Sequence, residues 1–396
     1  MPSSIEFRSY SENDAYLTEG KPEPNVRSQM LIYHSDNSKW WVKVTFKGEI
    51  SQGLEQRTPK RERRREFQNF VKDVDYSSLP LLDDTVTEVL LEELSEPQYA
   101  TLTLRETEGL GSGPFARLAR TLRYTTREDP SRVIYPSCRE FTSFPHINMA
   151  ELSDEVMITA GVSKVFNIQN KTPYILKVVN RPLYYPYDTE VIRRELENLQ
   201  ICKGVPNIVQ AAGIAVSKNP YMTSSTSNQP LVVIGILLEF HSGGSLQEVL
   251  SEGCLLDHPW ERWAIQIATA LAHLHGAGVT HMDIKPSNVV LDSDGNAILI
   301  DISGIGGVTY EWCAPEIRDE ISPIALPFEV RRLCDIWAYG HLLTEIVSHA
   351  EDSPVATTLR QIADCLTGEN TGSRMTLLEA ISQLEAAGIG SCVTCN

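Results

Sequence analysis

No apolar stretch of the 396-residue chain is long enough to span a bilayer: the longest, Leu231 to Phe240, has ten residues, about half of what a transmembrane helix needs. The N-terminus, Met1 to Asp14, is polar and partly acidic, without the apolar centre of a secretory signal. Positive charge is also short. With 35 Lys and Arg against 52 Asp and Glu, the formal net charge is −17, so nucleic acid and an anionic membrane surface would both repel the chain's mean field, and neither is expected as a partner. Cysteine is sparse: eight residues, at 138, 202, 254, 313, 334, 365, 392 and 395, lack the dense spacing of a disulfide framework, and reduced thiols are expected. Cys392 and Cys395 form a CxxC pair with no second pair, too few ligands for a closed zinc site. These absences predict a soluble, intracellular, cytoplasmic protein.

What is present falls into two textures. Gln29 to Phe46 alternates, with Trp40, Val42, Val44 and Phe46 on one face and Ser35-Asp36-Asn37-Ser38 as a turn, which predicts a β-hairpin. Phe67, Phe70, Val71 and Val74 follow helical spacing. Between them lies the basic run Lys60-Arg61-Glu62-Arg63-Arg64-Arg65, read either as a solvated helix face or loop, or as a docking or nuclear-localisation patch that leaves the nucleus open. The Pro/Ser/Arg-rich stretch Thr125 to Pro145 reads as a linker. Residues 1–150 thus form an α+β region of unknown role, and a second region, 153–396, follows. There, strands are predicted over Ile158 to Phe166, Pro173 to Val179 and Leu231 to Phe240, and a helix over Thr189 to Cys202. A second helix carries the apolar stripe Trp260, Trp263, Ala264, Ile267, Leu271 and Leu274. The segment Val330 to Val347 is apolar nearly all round, as a buried central helix would be.

Three motifs stand in register near the middle of this region: His281-Met282-Asp283-Ile284-Lys285-Pro286-Ser287-Asn288, then Asp301-Ile302-Ser303, then Ala314-Pro315-Glu316. Together they resemble the catalytic loop, metal-binding turn and closing motif of eukaryotic protein kinases. The resemblance implies an α+β, bilobal protein-kinase fold, with a small β-rich N-lobe (153–240) and a larger helical C-lobe (241–396), preceded by the N-terminal region. It also implies ATP, a divalent cation (Mg²⁺ or Mn²⁺) and a protein substrate, with Asp283 orienting the attacking hydroxyl and accepting its proton. Lys285 would neutralise charge on the transferred group, Asn288 and Asp301 would hold the metal, and Lys177, in Tyr174-Ile175-Leu176-Lys177, would contact the nucleotide phosphates. The partner of Lys177 is best matched by Glu195, counting back from Pro206-Asn207-Ile208-Val209, with Glu190 and Glu197 as fallbacks. Gly161 stands in the phosphate-cradling loop. Leu238 takes the gatekeeper position, and the backbones of Glu239 and His241 would meet adenine, the His241 side chain reading as a surface group. Asp335 would hold the catalytic-loop backbone, and Glu316 would pair with Arg374 as a buried ion pair whose disruption costs about 3 to 5 kcal/mol. Lys285, together with Thr309 placed to bond Asp283 and Lys285, favours serine or threonine over tyrosine as the substrate.

The departures from the family pattern carry their own expectations. The phosphate loop, Ile158 to Val165, keeps one glycine of three, which weakens backbone access to phosphate. Ile175 stands where the family usually has alanine against adenine and narrows the pocket. Ser303 replaces a glycine and restricts the backbone, and Met282 replaces the arginine that would receive a loop phosphate. Only Gly304-Ile305-Gly306-Gly307-Val308 separates Ser303 from Thr309, and none of the five bears a hydroxyl. Conventional activation by loop phosphorylation is therefore not expected. The helix that usually follows the central helix, often a docking surface, is reduced or absent, so substrate or regulatory partners would fall to the N-terminal region. This abbreviated segment also resembles kinase-like proteins of filamentous fungi. Two functions stay open: a divergent Ser/Thr protein kinase, and a pseudokinase that binds nucleotide or acts as a scaffold. A kinase for a small metabolite fits Trp312 to Glu316 less well.

Overall fold

A computed structural model of the protein describes residues 3–18, 23–48, 50, 58–93, 100–105, 115, 118, 121–224 and 230–390. Two units emerge: Met1–Arg132 with Lys218–Pro230, and Val133–Ser217 with Leu231–Asn396. The boundary thus falls at 132 rather than near 150, and the stretch read as a linker is structured at both ends. Leu122–Glu128 is a strand of the first unit, and His146–Asn148 is a strand of the second. Cys392 and Cys395 lie outside the described residues.

The first unit contains β1 (Ser4–Glu12), β2 (Val26–Ser35), β3 (Ser38–Lys47), α1 (Lys60–Lys72), β4 (Val86–Glu93), β5 (Ala100–Thr101) and β6 (Leu122–Glu128). Its sheet runs β1-β2-β3-β4-β6-β5. The predicted hairpin is β2–β3: Ser35 pairs with Ser38, and Asp36, at φ 52°, supplies the left-handed residue that such a tight turn needs. β3 and β4 are parallel, with α1 as the crossover between them. Phe67, Phe70 and Val71 of α1 bury against Leu31, Val42, Val44 and Phe46, an i, i+3, i+4 stripe on an alternating strand face. Residues 218–224, between two strands of the second unit, belong to this first unit. Ser224 bridges Ser38, and Thr223 both donates from its N–H to Asp84 Oδ1 (2.9 Å) and accepts at Oγ1 from the Asp84 N–H (2.8 Å).

The basic run opens α1 and is not uniform. Arg63 stands one turn before Phe67 on the buried face, where it is 3% exposed, and donates to both carboxylate oxygens of Glu12, at 2.9 and 2.6 Å. Burial works to raise the Glu12 pKa, but the bonds from Arg63 and Tyr10 prevail and hold it below its ordinary value. Lys60, Arg61, Arg64 and Arg65 are exposed. Arg63→Ala should therefore strand a buried carboxylate and destabilise this unit by about 3 to 5 kcal/mol, whereas Arg64→Ala should change stability by about 0.5 kcal/mol or less. Urea unfolding of the two variants distinguishes an internal ion pair from a basic surface patch.

The second unit begins with a six-stranded sheet, β7 (His146–Asn148), β8 (Leu152–Thr159), β9 (Val162–Asn167), β10 (Pro173–Val178), β11 (Ala211–Ser217) and β12 (Val232–Glu239), ordered β7-β11-β12-β10-β9-β8. The single strand expected over Ile158 to Phe166 is instead two, β8 and β9, joined by the two-residue turn Ala160-Gly161 between the paired Thr159 and Val162. α2 (Tyr187–Ile201) lies between β10 and β11. The helical part follows: α3 (Leu246–Glu252), α4 (Trp263–Gly276), the hairpin β13 (Val289–Leu291) and β14 (Ala297–Leu299), α5 (Phe328–Ser348), α6 (Pro354–Leu366) and α7 (Leu377–Ala386). Leu342, Leu343, Ile346 and Val347 of α5 are buried together with Leu359, Ile362 and Leu366 of α6. Only residues 349–353 separate α5 from α6, so no helix intervenes there. The α+β architecture with a β-rich lobe before a larger helical lobe is present. No helix among the described residues is long and apolar enough to cross a membrane.

Candidate active site

β10 brings Lys177 to the cleft face of the sheet. α2 meets it there because its buried stripe, Ile192, Leu196 and Leu199, also carries Glu195. Lys177 Nζ lies 2.7 and 2.6 Å from the two Glu195 oxygens and 2.7 Å from Asp301 Oδ1. The fallback partners are elsewhere: Glu190 and Glu197 both pair with Arg194. Burial works against the Lys177 ammonium, yet the charges of Asp301 and Glu195 outweigh it and raise the pKa above its ordinary value. Glu195, with no exposed surface, moves up because burial disfavours its charge. Asp301 moves down, chiefly because Lys177 is beside it. These directions favour a charged Lys177 beside a charged Asp301, whereas burial works against the charge on Glu195.

The segment Thr280 to Asn288 gathers the second group. Asp283 Oδ1 accepts from the Thr309 hydroxyl (2.7 Å) and the Thr309 N–H (3.1 Å). Oδ2 accepts from Asn288 (3.0 Å) and lies 2.7 Å from Lys285 Nζ, which also donates to Thr309 Oγ1 at 2.7 Å. Thr309 therefore bonds both Asp283 and Lys285, as its position before the closing motif led one to expect. Asn288 gives its amide N–H groups to the carboxylate and carbonyl of Asp283, which leaves its Oδ1 as a free acceptor among the described residues. Asp301 engages Lys177 through Oδ1 only and is 46% exposed on its side chain, so its second oxygen is also available. The Ile300 N–H donates to the Asn288 carbonyl at 3.0 Å, which brings the two oxygen-bearing residues together. Two oxygen ligands, one of them anionic, fit a hard divalent cation that keeps waters and phosphate oxygens for its remaining positions.

This group rests on a buried carboxylate. Asp335 of α5 has no exposed surface and accepts from the backbone N–H of Met282 (2.7 Å) and His281 (2.8 Å), and from His275 Nε2 of α4 (2.9 Å). Met282 is 4% exposed and packs into the core; its apolar side chain offers nothing to a phosphate. His281 joins the two halves of the site. Its Nε2 donates to the Ile300 carbonyl (2.8 Å), and its Nδ1 accepts from the Asp283 N–H (3.2 Å), a pattern only the neutral Nε2–H tautomer can satisfy.

Several expected roles change in detail. Ser303 does more than restrict the backbone: its Oγ accepts from the N–H of Gly306 (3.0 Å) and Ile305 (3.4 Å) and so closes the short segment on itself. Gly304 takes φ +70°, and a Cβ there would lie 2.3 Å from the Thr280 carbonyl oxygen, so the segment passes close against the backbone that leads into the catalytic loop. Arg374 binds Glu316 in a two-pronged contact at 2.5 and 2.9 Å. Glu316 is 29% exposed against 1% for Arg374, so water reduces the penalty of breaking the pair below that of a fully buried one. His241 is not a surface side chain: it is half-buried, its Nε2 is covered and has no hydrogen-bond partner among the described residues, and burial lowers its pKa. Cys313 and Cys334 lie 3.9 Å apart through sulfur but remain free thiols. No cluster of three or more His, Cys, Asp or Glu among the described residues could hold a metal.

Asn198, one turn beyond Glu195 on the same face of α2, was not singled out from the sequence. It is 2% exposed and donates to the carbonyls of Ile302 (2.6 Å) and Ser303 (3.3 Å). Its trace in the sequence is a second polar residue within an apolar helical stripe. His275 left no such trace, because its partner Asp335 is distant in sequence; His281 opens the catalytic-loop motif, but its bond to the Ile300 carbonyl was not anticipated.

A β-rich lobe before a larger helical lobe is the fold of a protein kinase domain, and the comparisons agree. The family model described as protein kinase domain matches residues 159–376, more than half of the chain, and the chain belongs to that family. Similar proteins include CBL-interacting serine/threonine-protein kinase 3 of Arabidopsis thaliana, 30% identical over 163 residues, with 41% of this chain and 32% of that protein covered. CBL-interacting protein kinase 1 of Oryza sativa subsp. japonica is 29% identical over 180 residues, 41% of this chain and 34% of that one. Serine/threonine-protein kinase PAK 5 of Rattus norvegicus is 28% identical over 146 residues, covering 33% and 19% respectively. The chain spans about a third of the length of the first two and less of the third.

Proposed function

We propose that this protein transfers the γ-phosphate of ATP to a serine or threonine hydroxyl of a protein substrate, and that it does so without phosphorylation of its own loop. The observation that carries this reading is the cluster of Asp283, Lys285, Asn288 and Thr309 within hydrogen-bonding distance of one another, on the same cleft as the Lys177, Glu195 and Asp301 triad. Asp283 orients the substrate hydroxyl and accepts its proton as the oxygen bonds to the γ-phosphorus and the bond to the ADP oxygen breaks. Lys285 offsets the negative charge on the transferring group. Lys177, held by Glu195, contacts the nucleotide phosphates, while the backbones of Glu239 and His241 and the Gly161 turn are assigned to the base and the phosphate loop. Asn288 and Asp301 would hold Mg²⁺ or Mn²⁺, which when bound supplies neutralisation of phosphate charge.

The absence of a loop switch is supported by the apolar Met282, by a segment with no hydroxyl from Gly304 to Val308, and by the internal bonds of Ser303. The first unit, with four exposed basic residues on α1, is the proposed place for a regulatory partner. A cytoplasmic or nuclear setting would suit such a protein. The tight turn at Ala160-Gly161, in place of an open glycine-rich loop, favours a second reading, a nucleotide-binding pseudokinase.

Two measurements test these readings. Labelled ATP with Mg²⁺ or Mn²⁺ and a generic protein substrate should yield phosphoserine or phosphothreonine; phosphotyrosine alone would overturn the assignment of the hydroxyl. ATP with metal should raise the melting temperature of the wild type but not of Asp301→Ala. Stabilisation without any transfer supports the pseudokinase, and neither effect leaves only a scaffold.

A further inference from the structure

The sheet register decides what faces the nucleotide base. Lys177 and Ile175, two residues apart on β10, lie on the same face, and on β9 they pair with Val162 and Lys164 respectively. Directly paired residues share a face, so Lys164 points into the cleft beside Ile175. On β12, Ile175 pairs with Leu238, two residues before Phe240. The alternate residues Leu176, Val165 and Leu237 pack together on the opposite face, which confirms the alternation. A cation therefore stands on the face that would cover a base. Its ammonium lies 3.8 Å from the centre of the Phe240 ring and 5.3 Å from that of Phe166, and no carboxylate among the described residues pairs with it. Phe240 sits between Glu239 and His241, the two residues whose backbones are assigned to the base.

We infer that Lys164 is an affinity-determining residue of the nucleotide site, closing the base-binding face by resting on Phe240, so that a nucleotide must displace its ammonium to enter. The inference rests on the proposed nucleotide-binding role of this cleft. Unlike the loss of glycines from the phosphate turn, which would weaken contacts to phosphate, it places the obstacle at the base. A cation on a partly desolvated ring is held by an attraction whose loss converts to roughly a 3- to 30-fold change in affinity.

Isothermal titration of ATP with Mg²⁺ into the wild type, Lys164→Met and Phe240→Leu tests this. Methionine keeps the unbranched stem and removes the charge; leucine removes the ring while leaving Lys164 in place. Both variants should bind ATP more tightly than the wild type, by about 3- to 30-fold. A gain of affinity cannot arise from misfolding. Unchanged or weaker binding by Lys164→Met, with the wild type binding measurably, would overturn the gate and leave the nucleotide site standing; weaker binding would make Lys164 a ligand of the nucleotide. No binding by any of the three would overturn both.

Discussion

Asp283→Ala should lower phosphoryl transfer by roughly 10²- to 10⁴-fold, the contribution of a positioned acid–base group, while ATP affinity and the melting temperature stay close to those of the wild type. The separation follows from the geometry. Asp283 meets Thr309, Lys285 and Asn288 but neither Lys177 nor Asp301, and it is 23% exposed on its side chain, so water can replace it as a partner for Lys285. Single-turnover transfer at saturating ATP, measured alongside titration of ATP, reads the two effects independently. Equal transfer by wild type and variant would remove Asp283 from the chemistry and with it the catalytic reading of the cleft.

Asp335→Ala should be the most damaging single change to the second unit. The carboxylate is fully buried and satisfies the N–H groups of His281 and Met282 together with His275 Nε2. Alanine leaves all three without an acceptor, and removing one member of such a buried charged network costs about 3 to 5 kcal/mol. Met282 already takes φ 68°, a left-handed conformation unfavourable for a side chain with a Cβ, so the loop that positions Asp283 would relax as well. A fall in the urea midpoint together with loss of transfer is expected; an unchanged midpoint would mean that the loop holds itself.

The site was more legible in the sequence than the fold around it. Asp283, Lys285, Asn288, Asp301 and Lys177 were singled out by the resemblance of their motifs to those of protein kinases, and the structure brings them to one cleft although Lys177 stands on β10, far from the others in the chain. Glu195 required a count back from Pro206, and two neighbouring glutamates competed for the place. The register of α2 against β10 resolved it, since Glu195 lies on the buried stripe while Glu190 and Glu197 face Arg194. Asn198 and His275, and the bond of His281 to Ile300, escaped notice because each involves a group that only tertiary packing brings near. Arg63 was submerged in a basic run, where nothing local distinguishes the one arginine that turns inward to Glu12.

By itself the sequence determined the chemistry on offer and the secondary structure that carries it: a catalytic-loop motif, a lysine on a strand, a glutamate on a helix, and a five-residue segment with no hydroxyl to phosphorylate. Only the tertiary structure decided which strand ends where, that residues 218–224 belong to the first unit, and that Lys164 rests on Phe240 in the cleft. The reason is the same in each case. Spacing and periodicity report on neighbours along one helix or strand, whereas sheet register and buried polar pairing join residues far apart in the chain and become visible only once the chain has folded.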